Sequence, residues 1–420
     1  MRPKILIPST LACALLLAAC NQAPQDADAT VVSDPAAAPT AAPATSPAAP
    51  TVDMDQLAER IVTQSAGVKE GEVVMITGLS NDADLLEALA LQVRKQGAFP
   101  WLMYGSERLG KRLFFDVPAK FDSQQDPAEM AMVKVTDAII SFGNGQSQDL
   151  FEGADPARMA ARSKSGQAIA EMMRAKGVRV IDIGNGMYPT SWRAERMGLD
   201  QAALSKLFWD GINVDYSSLQ ARAAEVQGKL AAARDVHVTH PNGTDLRFSI
   251  AGRKVVASDG LISEADRKAG GAALSVYLPA GEVMTSAVPG SASGKLVESH
   301  NFYQGKPVDG LTMEFAGGKL VSMTGSGAGF ADLKAEYDAV QDAGKDQFSA
   351  FDLGINTNIQ LPADAKVGNW VPAGTVSLGF GTDVWAGGSN TAPYGRFVSL
   401  SGATVTLDDA VAVDKGALKL

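Results

Sequence analysis

From residue 52 onward, apolar runs of strand length alternate with amphipathic stretches of helix length. No other feature of the chain restricts its fold as strongly. Residues 72–77, 99–104, 137–142 and 178–183 are the apolar runs, and residues 54–64, 81–96 and 157–176 carry apolar side chains at helical spacing. Asp53 is placed to cap the first helix. Asp82 and Asp84 fall in the first turn of the second, where aligned peptide dipoles favour acids. Strands alternating with helices of this length predict a parallel sheet with helices on its faces. Residues 201–210 and 216–234 read as two helices that close this half.

Near Asp235 the period changes. Residues 236–239, 246–250 and 254–257 are short strands, and Asn242-Gly243 is a hairpin signal because both residues tolerate positive φ. Residues 311–315 and 319–323 flank Gly317-Gly318 as a second hairpin. One helix is expected over 331–343, then strands over 374–381 and 396–407. The expected organisation is an α/β domain at 52–230 and a β-rich α+β domain at 231–420, with an antiparallel or barrel-like sheet. No internal repeat of fixed period is present.

The first 51 residues read as an address and a tether. Arg2 and Lys4 precede an apolar run at 11–19 that ends Leu17-Ala18-Ala19-Cys20. A basic start, an apolar core too short for a stable span and small residues at the cut make a secretory signal. Leu-Ala-Ala-Cys resembles the lipobox of bacterial lipoproteins, which implies a signal peptide at 1–19 and a lipidated Cys20. Cys13 has too short an apolar lead-in to compete. With Asn21 rather than Asp after the cysteine, the chain resembles, by the enterobacterial sorting rule, an outer-membrane lipoprotein facing the periplasm. Residues 20–51 are rich in Ala, Pro, Thr and Ser and bury nothing, so they read as a disordered tether.

Composition narrows the chemistry. The 420 residues carry a formal net charge of −10 and show no Lys/Arg block, so a nucleic-acid groove is not expected. Two cysteines exclude a disulfide scaffold and a cysteine-based zinc cluster. Three histidines, His237, His240 and His300, exclude a histidine-rich cage. His237 and His240 lie three apart on an expected strand and so point to opposite faces. Gly143-Asn144-Gly145 lacks the later glycine of a dinucleotide loop. Gly325-Ser326-Gly327-Ala328-Gly329 lacks the Lys-Ser/Thr of a phosphate loop. Both read as flexible connections. No Gly-x-Ser-x-Gly, His-Glu-x-x-His or catalytic-cysteine context occurs. Two acids stand in apolar company, Glu282 in Leu-Pro-Ala-Gly-Glu-Val and Asp352 in Phe-Asp-Leu-Gly. Such an acid either points into a cleft to bind metal or act as a base, or is a hydrogen-bonded structural group.

At these acids the chain resembles the aminopeptidase T family of metallopeptidases over nearly all of 52–420. The matching segments are Tyr188-Pro189-Thr190, Gly243-Thr244-Asp245-Leu246, Leu278-Pro279-Ala280-Gly281-Glu282-Val283, Leu353-Gly354-Ile355-Asn356-Thr357-Asn358, Gly374-Thr375-Val376 and Gly387-Gly388-Ser389-Asn390, in family order. The resemblance implies an aminopeptidase T-like fold, a homodimer, and a two-metal site of two glutamates, two histidines and an aspartate, with a further glutamate beside the reacting water. Two metals held close together clamp the attacking and leaving oxygens. Carried over position by position, the first glutamate is Glu282 and the second falls on Asp352. The first histidine falls on Ser377, the His-x-Asp pair on Gly395 and Phe397, and the catalytic glutamate on Trp370. Tyr394 is a poor substitute for the lost pair.

The scaffold is thus expected to be kept and the site mostly lost. Zinc favours imidazole and thiolate donors, which these positions do not supply. The expectation is a lipid-anchored protein of the bacterial cell envelope, with the membrane as a partner through Cys20. Its old cleft would bind a peptide or small ligand without catalysis and without a cofactor. The alternative is an active aminopeptidase using Glu282 and Asp352 with zinc, cobalt or manganese.

Overall fold

The computed structural model of the chain describes residues 53–420 apart from residues 149, 152, 304 and 363. The signal peptide, Cys20 and the tether expected at 20–51 lie outside the described residues. Among the described residues no helix is long and apolar enough to cross a membrane.

The chain opens with α1 (Met54–Arg60), whose first amides are capped by the Asp53 carboxylate, and continues through a π-helical turn at Ile61–Ser65. Then follow β1 (Val73–Leu79), α2 (Ala83–Lys95), β2 (Phe99–Gly105), α3 (Glu107–Phe115), α4 (Pro127–Val133), β3 (Ala138–Phe142), α5 (Pro156–Lys176) and β4 (Arg179–Ile183). Helices α6 (Ser191–Arg196), α7 (Gln201–Ile212) and α8 (Tyr216–Ala232) complete this half. β1 pairs in parallel with β2 and β3, and β3 with β4. Successive strand residues point to opposite faces, and both faces are covered. Val74, Ile76 and Ile140 pack with Leu86, Leu89 and Val93 of α2. Met75 and Ile139 pack with Val133 of α4 and with Ile169 and Met173 of α5. Each fully buried aliphatic side chain of this kind contributes roughly 1.5–3 kcal/mol. Asp82 lies in a 3₁₀ turn just before α2, and its carboxylate is held by Tyr188 and Asn144 rather than by the helix amides.

The hairpin-rich half begins with β5 (Asp235–Thr239), β6 (Asp245–Ser249) and β7 (Val255–Ser258). After α9 (Glu264–Ala269) come β8 (Ser275–Leu278), β9 (Glu282–Ser286), β10 (Ser293–Tyr303), β11 (Lys306–Ala316) and β12 (Lys319–Ser326). α10 (Phe330–Ala339) precedes β13 (Phe348–Gly354), β14 (Val376–Gly381), β15 (Gly395–Leu400), β16 (Thr404–Leu407), β17 (Ala410–Asp414) and β18 (Ala417–Leu418). The strands form two sheets, in the orders β12-β11-β10-β6-β5-β16-β17-β18 and β15-β14-β13-β9-β7. Their facing sides meet in an aromatic core. Phe348 lies 4.8 Å from Phe248 and 5.4 Å from Phe315, and Phe380 lies 5.9 Å from Phe315.

Three features depart from the local pattern. β8 leaves its own half and pairs in parallel with β4, completing the first sheet in the order β2-β1-β3-β4-β8. The run at 396–407 is two strands in two sheets, divided at Gly402, whose φ of +84° a side chain would resist. The two glycine loops are packed rather than loose. Asn144 is buried, and a side chain on Gly327 would meet the Pro307 carbonyl at 2.4 Å.

Candidate functional site

The smaller antiparallel sheet positions the acids. Paired residues of antiparallel strands share a face, and the face alternates along each strand. Asp352 of β13 pairs with Met284 of β9 and Ser377 of β14, and Gly354 pairs with Glu282. Ser377 pairs with Ser399 of β15, Gly379 with Phe397 and Gly381 with Gly395. Glu282, Asp352, Ser377, Gly395 and Phe397 therefore occupy one face of one sheet, although 115 residues of sequence separate the first from the last. Phe351, Leu353, Leu378 and Phe380 alternate with them and fill the aromatic core on the other face. Tyr394, 5.4 Å from the ring of Tyr337, packs on that core side and away from the acids.

On the acid-bearing face the polar groups are largely committed. Glu282 is 4% exposed, and its Oε1 accepts a hydrogen bond from Nδ2 of Asn185. Asn185 follows β4 in the left-handed region, at φ 40°. Its Nδ2 also donates to the Pro279 carbonyl at 2.9 Å, while its Oδ1 accepts from the Trp370 indole N–H at 2.8 Å. Trp370 thus braces the glutamate through Asn185. The Ser377 and Ser399 hydroxyls share a hydrogen bond of 2.8 Å. The Phe397 ring stands edge-on to Trp385 at 4.6 Å and packs with Met284, Val256 and Ala350. Asp352 is 3% exposed and its Oδ1 has no hydrogen-bond partner among the described residues. Burial raises both carboxyls well above the usual range. Asp352 is raised further by repulsion from Glu282, whereas Asn185 and Trp370 pull Glu282 back.

This donor set does not fit the imidazole-containing two-metal centre that the resemblance implies. The described face offers two carboxylates and the hydroxyls of Ser258, Ser286, Ser377 and Ser399, and Gly395 and Phe397 have no donor atoms in their side chains. No three His, Cys, Asp or Glu side chains converge among the described residues. The histidines belong to the larger sheet. His237 meets Asp245 at 2.7 Å, His300 meets Asp309 at 2.9 Å, and His240 lies 2.9 Å from the Ser401 carbonyl. Asn185 escaped the sequence reading. Its signal is a repeat, because β3 and β4 both run into Gly-Asn-Gly, at 143–145 and 184–186.

Three comparisons bear on the chain. Residues 51–335 match the model of the thermophilic metalloprotease family (M29), a range that includes Glu282 and ends before Asp352. Among solved structures, wild-type AmpT from Thermus thermophilus aligns with a TM-score of 0.66 at 16% identity, covering 87% of this chain and 99% of that one. The 2,5-dihydroxypyridine dioxygenase from Pseudomonas putida KT2440 aligns with a TM-score of 0.53 at 15% identity, covering 87% and 96%. At such identities the likeness is one of fold. A search of curated proteins returned no match.

Proposed function

The chain belongs to the thermophilic metalloprotease family M29, and from that premise we propose a family member that has kept the cleft and lost the hydrolytic centre. In this reading it is a lipoprotein of the bacterial cell envelope, anchored through Cys20 in the outer membrane, and a homodimer that binds a peptide or small ligand. The observation that carries the loss of chemistry is the sheet face itself, where Ser377, Gly395 and Phe397 stand beside Glu282 and Asp352. Hydrolysis at a two-metal site needs ligands that hold both ions and a base that accepts a proton from water. An indole at Trp370 cannot accept that proton, and here it serves as a donor to Asn185. The fold leaves the reaction open, since a dioxygenase shares it.

A second reading has its own observation. Both positions still carry a carboxylate, Glu282 and the shorter Asp352, and Asp352 Oδ1 is buried without a hydrogen-bond partner among the described residues. Oxygen donors of this kind suit a hard divalent cation, and a metal-dependent aminopeptidase would be built on them. Elemental analysis of the purified full chain, beside a peptide-hydrolysis assay with added zinc, cobalt or manganese, separates the two. The expected outcome is no stoichiometric metal, no release of N-terminal residues, and a change in tryptophan emission from Trp370 and Trp385 on adding short peptides. Metal near about one or two equivalents, with activity abolished by Glu282→Ala, would restore the enzyme.

A further inference from the structure

We propose that α3 and the turn after it, residues 107–121, form a surface that rests on an anionic lipid bilayer. Helix α3 carries an apolar arc of which the body covers one flank alone. Gly110 and Phe114 are buried, with the Phe114 ring 5.5 Å from Phe151 and 4.8 Å from the Arg158 guanidinium. Leu109 and Leu113 lie one turn apart on the other flank of the same arc and are 51% and 43% exposed. Phe115 and Phe121 are each 40% exposed, Phe115 on the other side of the outward face of α3 from Leu113.

Cations outnumber acids around the patch. Arg108, Lys111, Arg112 and Lys120 are all exposed. The acids of this stretch are paired, Asp116 with one of these cations. Glu107 accepts from the Gln146 and Ser147 amides, Asp116 pairs with Arg112 at 2.9 Å, and Asp122 is held by Arg158 and Arg162. Among the described residues Arg108 and Lys111 have no ion-pair partner, in a chain whose net charge is −10. Exposed leucine and phenylalanine among unpaired cations is the composition that seats a helix in an anionic lipid interface. A second copy of the chain fits less well, because a two-fold contact through α3 would set Arg108 and Lys111 against their own copies. The proposal takes from the envelope reading only the presence of a bilayer nearby.

The test uses the full chain carrying Cys13→Ser and Cys20→Ser, so that one introduced thiol is the sole label site and lipidation plays no part. A polarity-sensitive dye is placed through Leu113→Cys, or through Val321→Cys on β12, a control position 62% exposed. Vesicles are phosphatidylcholine alone or mixed with phosphatidylglycerol, with nitroxide lipid as quencher. The dye at 113 should shift to the blue and be quenched on the anionic vesicles, with the effect lost at high salt, while the dye at 321 stays unchanged. Arg108→Glu with Lys111→Glu should weaken that response by about tenfold or more. An equal response at both positions, no response at 113, or no dependence on anionic lipid would overturn the proposal. So would a blue shift at 113 that grows with protein concentration in the absence of lipid, which would assign the patch to a second copy.

Discussion

Asp182 shows how burial acts on a single residue of this chain. It stands on β4 opposite Ser141 of β3, whose hydroxyl donates to it at 3.3 Å. Burial pushes its carboxyl up to about 6, against the opposing hydrogen bonds from Ser141 and the Asn185 amide. The folded chain therefore keeps a proton that the unfolded chain gives up near pH 4. That stabilising contribution is complete below pH 4 and is lost as the pH rises through 6. Asp182→Asn should leave stability unchanged near pH 4 and raise it by about 2 kcal/mol at pH 8. Urea unfolding at the two pH values reads the difference, and a variant weaker at pH 8 would show that the ionised carboxylate is the stabilising form. Glu282 and Asp352 were legible as acids because their neighbours are apolar. Asn185 was not, because a polar residue after a strand looks like any loop residue until its partner, Glu282, is brought alongside.

Among the elements, β8 has the widest consequence. Its Val276 and Leu278 are buried against β4, whose Ile181 and Ile183 are also fully buried. Losing two such side chains from the core costs roughly 3–6 kcal/mol, a large part of the 5–15 kcal/mol that stabilises an ordinary domain. A fragment of residues 53–230 should therefore show no cooperative thermal transition, whereas the full chain should melt in one. A fragment with its own sharp transition by calorimetry would mean that the parallel sheet closes without β8. β1 to β4 could be read from sequence, since each is a run of at least five largely apolar residues. β8 is four residues long and carries no longer signal than a turn would. The division of 396–407 into β15 and β16 has the same cause, because one glycine is the only local mark of a change of sheet.

For the whole molecule, the expected anchor lies outside the described residues and is tested in cells. If Cys20 is lipidated, Cys20→Ala should leave a precursor or a soluble form. A variant that still fractionates with membranes like the parent chain would remove the lipoprotein reading. That expectation rests on residues adjacent in sequence, as do the strand–helix order, the Asp53 cap and the hairpin at Asn242-Gly243. The sequence alone determined the strand–helix order, the cap and the hairpin, because each depends on a few neighbouring side chains or on composition. The lack of any histidine beyond residue 300 belongs with them. Tertiary structure alone decided the rest. It took β8 across to β4, put Asn185 on Glu282, and gathered Glu282, Asp352, Ser377 and Phe397 on one face. The physical reason is register. A strand's local pattern says that its side chains alternate, and only pairing with a distant strand says which neighbours share each face.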